Sequence, residues 1–140
     1  MPYRKADIRP YRDEDEPVLF TLARMAFGER GGWSDRRTLE VLESDTVFVA
    51  EVDADPAGYV ALEPREERVR IEQLLVAPQH EGEGVGRQLV QYAEGYAIWR
   101  GARSLSVVVE GDNRRAAGFY RRYGFAPAES ELLELVLPRR

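Results

Sequence analysis

The stretch VAPQHEGEGVGRQLV, Val76 to Val90, sets glycines at alternate positions, Gly82, Gly84 and Gly86, between an apolar run and a helical pattern. Bare backbone at a strand-to-helix turn suits an anionic ligand. Glycine lets the chain come close, the first-turn amides of a helix lack internal partners, and the helix dipole favours negative charge there. The spacing excludes two familiar phosphate loops. A P-loop needs Lys followed by Ser or Thr, which do not occur here. The fingerprint GxGxxG fails because its third glycine falls on Arg87 or Leu89. Glu81 and Glu83 are unexpected neighbours for a phosphate. Two unit charges ~4 Å apart interact by roughly 1 kcal/mol in water and about 4 kcal/mol at an effective dielectric of 20. Both side chains can turn to solvent, and Arg87 is a source of compensating charge.

Other reactive residue types are sparse. Cysteine is absent, which removes disulfides, thiolate nucleophiles and Cys-ligated zinc. Ser34, Ser44, Ser104, Ser106 and Ser130 have no histidine-based signature near them, so nothing suggests a covalent intermediate. His80 is the single histidine and reads as a solvated loop residue. Glu72 is out of place in RIEQLLV, since an ionised carboxylate in a buried strand is costly unless paired. It is either a working carboxylate or half of an ion pair, with Arg70 or a neighbouring strand. No metal site is expected.

The elements that must position these residues follow from periodicity. KADIRPY can be a first strand. RDEDEPVLFTLARMAFG reads as a helix with Pro17 in its first turn and Val18, Leu22, Met25 and Ala26 on one face. SDRRTLEVLES is a second helix with Ser34 as its N-cap. TVFVAEV and AGYVALEP flank DADP, a hairpin signal. RVRIEQLLVAP is a longer strand. A helix starts near Gly84, with Val85, Leu89, Tyr92, Ala93, Tyr96 and Trp99 at a 3.6-residue period, and Gly101 ends it. SLSVVV is a buried strand. NRRAAGFYRRYGF is a helix with Ala116, Phe119, Tyr120 and Tyr123 on one face and Asn113 as a cap. A short strand at Phe125 and ELLELVL complete the order. The expectation is a single α/β domain over residues 1–140. Its mixed, mostly antiparallel sheet of six to seven strands is flanked by about four helices, with a parallel crossover from Arg68 to Val109.

Bulk composition agrees. The 140 residues are 44% hydrophobic and 32% charged, enough for one domain with a core and a cleft. Net charge is −5, against nonspecific nucleic-acid binding and mildly in favour of cationic partners. No apolar run is long enough to span a membrane, and the N-terminus lacks the apolar region of a secretory signal, so a cytoplasmic protein is expected.

The segment LLVAPQHEGEGVGRQLV resembles the acyl-CoA loop of the GNAT superfamily of N-acetyltransferases, [QR]-x-x-G-x-[GA] after a Leu-x-Val-x-Pro-like run. Leu74, Val76, Pro78, Gly84 and Gly86 match. NRRAAGFYRRYGF resembles the family's following helix, through Asn113, Ala116, Phe119, Tyr120, Gly124 and Phe125. Glu81 departs from the pattern where Arg or Gln is usual, and Glu83 where a basic residue is common. The resemblance implies a GNAT-like fold over nearly the whole chain and acetyl-CoA as cosubstrate. It implies a cofactor site of Leu74, Leu75, Val76, Gly82, Glu83, Gly84, Val85, Gly86, Arg87 and Asn113. Catalytic roles fall to Tyr120, which would protonate the leaving sulfur, and to Glu72, which would take the amine proton, with Glu110 in reserve. Tyr120 also reads as core filler. The acceptor site is walled by GERGGWSD, where Glu29 and Trp33 could meet substrate. The implied activity is acetyl transfer to a primary amine, on a small molecule or a peptide, by direct attack in a ternary complex. The alternative is a non-catalytic acyl-CoA-binding or interaction module. No nucleic-acid or membrane partner is expected, and a homodimer is compatible with the sequence.

Overall fold

The computed structural model describes residues 3–27, 35–44 and 46–138. In chain order the elements are β1 (Asp7–Pro10), α1 (Glu16–Phe27), α2 (Asp35–Ser44), β2 (Thr46–Val52), β3 (Asp55–Pro64), β4 (Arg68–Val76), α3 (Val85–Trp99), β5 (Ser104–Val108), α4 (Arg114–Tyr123), β6 (Ala126–Pro127) and β7 (Leu132–Val136). They form one seven-stranded sheet in the order β1-β2-β3-β4-β5-β7-β6. Only β4 and β5 are parallel; the other pairs are antiparallel. The mixed, mostly antiparallel sheet expected from the sequence is therefore the observed one. The hairpin at Asp53 and Ala54 turns through two residues of positive φ, 51° and 65°, the backbone that follows the twist of paired strands.

Helices cover both faces of the sheet. On one face α3 and Tyr120 of α4 bury Val69, Ile71, Leu105 and Val107. On the other, Leu19, Leu22 and Ala23 of α1 and Val41 and Leu42 of α2 bury Val47, Val49, Tyr59 and Leu75. Two expected helix faces are corrected. Val18 and Met25 are exposed, and the buried stripe of α1 is Leu19, Leu22 and Ala23. A short helix with apolar residues all round admits both 3.6-residue stripes, and packing on the sheet selects one. On α3, Tyr92 is partly and Trp99 is 67% exposed, while Leu89, Val90, Ala93 and Ala97 are buried. Tyr92 instead lies beside Phe48, with ring centroids 4.7 Å apart. A 3-10 turn, Asp13–Asp15, precedes α1, and the sixth strand lies at Ala126–Pro127, just after Phe125.

One irregularity matters for the site. Ala61 pairs with Gln73 and Leu62 with Ile71, so Glu72 is an extra residue in β4, a β-bulge. The bulge reverses the parity of the strand. Val69 and Ile71 face α3, but beyond the bulge Leu75 and Ala77 face α1 and α2. It also marks where β4 leaves β5, because their pairing runs from Arg68 with Ser104 only as far as Ile71 with Val107. From Glu72 to Val76 the β5-facing edge of β4 has no strand against it. Among the described residues no helix is long and apolar enough to cross a membrane.

Candidate active site

The glycine loop ends the wedge between β4 and β5. After β4 a 3-10 turn over Pro78–His80 leads to Gly82 and Gly84, at φ 79° and 83°, and Gly84 caps α3 from the left-handed region. A side chain at Gly84 would be strained there and would press on the Tyr3 ring, 2.8 Å from the added carbon. The amides of Val85, Gly86 and Arg87 have no acceptor within the described residues, since the first helix-start bond is Gln88 N–H to the Gly84 carbonyl. Gly86 brings three elements together: a carbon added there would lie 3.5 Å from both Val76 of β4 and Phe119 of α4.

The acidic flanks of the loop are each engaged. Glu83 is nearly buried, and its Oε1 lies 2.7 Å from Nδ1 of His80. His80 is itself only 12% exposed, and its Nε2 lies 2.6 Å from Asp55 Oδ2. His80 is therefore not the solvated loop residue expected from sequence. The two carboxylates, Asp55 first, raise its pKa above 6.5. Glu81 pairs with Arg115 of α4 at 3.6 Å. Arg87 lies over the Tyr123 ring, 5.1 Å from its centroid, and Tyr123 donates a 2.5 Å hydrogen bond to Glu94.

Tyr120 is buried, with Phe119 and Phe125 edge-on to it at 5.1 and 5.2 Å. Burial raises its pKa above the ordinary phenol value. The phenol keeps its proton through neutral pH and its hydroxyl has no hydrogen bond among the described residues. The sealed side-chain atoms without partners are Thr38 Oγ1, Gln73 Nε2 and Ser106 Oγ, so the Tyr120 oxygen is not one of them. Glu72, at the bulge, is 17% exposed and lies 3.7 Å from Nη2 of Arg37 on α2. Glu72 thus has an ion-pair partner, as one of its two sequence readings allowed, but on a helix and not at Arg70 or a neighbouring strand. Leu74 and Val76 pack toward α3, and Leu75 is buried on the opposite face. Asn113 caps α4, its Oδ1 accepting from Ala116 N–H at 3.2 Å. Glu110 is exposed. Glu29 and Trp33 lie outside the described residues. No group of His, Asp or Glu placed to hold a metal occurs among the described residues.

The wedge in the sheet, the αL glycines and the open amides form one continuous feature from Glu72 to Arg87. The model of the Acetyltransferase (GNAT) family matches residues 9–125. The chain belongs to the GNAT family of acetyltransferases. Among curated relatives, streptothricin acetyltransferase of Streptomyces lavendulae is 39% identical over 89 residues, 62% of this chain and 47% of that protein. The chain spans about half the length of curated relatives that it matches. The GNAT fold is also seen in the ribosomal-protein-S18-alanine N-acetyltransferase of Escherichia coli, at a TM-score of 0.80 and 18% identity, over 96% of this chain and 94% of that one. It is seen again in the PaiA N-acetyltransferase of Thermoplasma acidophilum in complex with coenzyme A, at a TM-score of 0.79 and 18% identity, over 94% and 99% of the two chains.

The sequence reading missed His80, Arg37 and Gln88. Gln88 is buried on α3; its Oε1 accepts from Ala6 N–H at 2.8 Å and its Nε2 donates to the Arg4 carbonyl at 2.7 Å. His80 had a local signal, Glu83 three residues on. The partners Asp55 and Arg37 had none, because they come from elements far along the chain.

Proposed function

We propose that the chain is an acetyl-CoA-dependent N-acetyltransferase that acetylates a primary amine by direct attack in a ternary complex. The observation that carries this is the meeting of two unpaired backbone surfaces, the β4 edge from Glu72 to Val76 and the amides of Val85, Gly86 and Arg87. An extended amide-bearing arm fits the first as an added strand, and a diphosphate fits the second. Bound acetyl-CoA supplies an activated acetyl thioester. The Leu74–Val76 backbone holds the arm and polarises the thioester carbonyl with its N–H groups. Glu72 takes the amine proton directly or through water, and the neutral amine attacks. Tyr120 gives its proton to the leaving sulfur. Asn113 donates its side-chain amide to the arm while its Oδ1 caps α4. The acceptor enters from the α1 and α2 side, where Glu72 meets Arg37. The same fold in a ribosomal-protein-S18-alanine N-acetyltransferase agrees with an amine acceptor as a class.

The test is calorimetry with acetyl-CoA, followed by a thiol-release assay over a panel of small amines and peptide N-termini. Binding with turnover on at least one amine is expected. Binding without turnover on any amine favours a non-catalytic acyl-CoA module, and no binding ends both readings.

A further inference from the structure

We propose that His80 is a positioning residue for the acyl-CoA loop: it holds the Glu83 carboxylate away from the α3 amides and makes cofactor affinity fall as pH rises. The proposal rests on the reading of this loop as an acyl-CoA site. Its first support is geometric. Both ring nitrogens of His80 lie against carboxylates, Nδ1 at 2.7 Å from Glu83 and Nε2 at 2.6 Å from Asp55. A carboxylate only accepts, and a neutral imidazole has one N–H, so both bonds form only with the imidazolium. Its second support is where Glu83 is not. The helix dipole favours negative charge near the open first-turn amides, which draws a neighbouring carboxylate toward them. Here no amide of Val85, Gly86 or Arg87 bonds to Glu83, whose nearly buried carboxylate is committed to His80.

The surrounding charges leave this job to His80. Glu81, beside it in the chain, pairs with Arg115 of α4. Asp53, in the same turn as Asp55, pairs with Arg4 of the N-terminal segment. Arg87 is over Tyr123. The trio of His80, Asp55 and Glu83 carries one net negative charge when the ring is protonated and two when it is neutral. The sign follows. The carboxylates, Asp55 first, raise the His80 pKa, so the imidazolium persists to higher pH than in a free histidine and is lost as pH rises further. Each step upward then leaves Glu83 uncompensated beside a diphosphate. The imidazolium thus lets an acidic loop serve an anionic ligand.

The experiment is the Kd of coenzyme A by calorimetry between about pH 6 and pH 9 on the wild type, His80→Gln, Glu83→Gln and the double variant. Wild-type affinity is expected to fall roughly fivefold or more across the range, the size of one unit charge acting through a partly screened loop. His80→Gln binds weakly at every pH. The double variant regains the low-pH wild-type affinity, and its residual slope reports the cofactor's own phosphate titration. A His80→Gln protein with wild-type affinity and slope overturns the proposal, as does a double variant that stays weak. If His80→Gln does not fold, Glu83→Gln alone decides, since an unchanged pH step there overturns the proposal. A wild type that binds no coenzyme A at any pH removes the acyl-CoA reading itself, whereas a wild type that binds with no pH step removes only the role of His80.

Discussion

At the scale of single residues, the roles proposed for Tyr120 and Glu72 rest on the environment of each. The Tyr120 ring is held on two edges by Phe119 and Phe125, so its packing survives loss of the hydroxyl. Tyr120→Phe is therefore expected to lower turnover about 10²-fold while leaving coenzyme A affinity and the unfolding midpoint nearly unchanged. Steady-state kinetics beside a thermal melt checks this, and unaltered turnover makes Tyr120 a core residue alone. Glu72→Gln is expected to lower turnover by about 10²- to 10⁴-fold and to leave a rate that climbs with pH, because the amine must then arrive already deprotonated. A pH–rate profile matching the wild type moves the base to another group. Tyr120 stood out at a motif position, and Glu72 as a carboxylate out of place in a buried strand. The partner that steadies Glu72 was not, because Arg37 lies 35 positions upstream on a different element.

At the scale of elements, the strand–loop–helix unit from Arg68 to Trp99 was legible almost whole. Its glycines, its closing Pro78 and the period of its helix are local signals that local sterics enforce. The bulge at Glu72 was not legible. An extra residue in β4 is defined only against β3, and nothing in RIEQLLV announces it. The bulge nonetheless sets which side chains face which layer and where β5 departs. Gly84→Ala tests the loop end. At φ 83° an alanine costs about 1–2 kcal/mol, and relieving that strain is expected to swing the α3 amides away from the proposed diphosphate position. Chemical denaturation should show a loss of that order, and titration should show weaker coenzyme A binding. Full affinity in a destabilised Gly84→Ala protein would mean that the amides do not hold the cofactor.

At the scale of the whole molecule, the N-terminal segment closes the fold onto the site. Arg4 N–H donates to the Glu83 carbonyl, and buried Gln88 holds both Arg4 and Ala6. Gln88→Ala leaves the buried Ala6 N–H and the part-buried Arg4 carbonyl without this partner and is expected to cost about 1–3 kcal/mol. It should also speed proteolytic cleavage before β1, read by mass spectrometry of a limited digest; an unchanged cleavage rate would mean the segment is held by other contacts. This closure joins residues about eighty positions apart and leaves no local trace in the sequence. What the sequence determined alone was what nearest neighbours enforce: helical and strand periods, turns that need glycine, and the order of elements, which the GNAT motifs then anchored. Tertiary structure alone decided the buried stripe of α1, the parity switch at Glu72, and the pairing of His80 with Asp55. Those depend on which distant surface each residue meets, and burial and ion pairing are energies of contact that a sequence position does not contain.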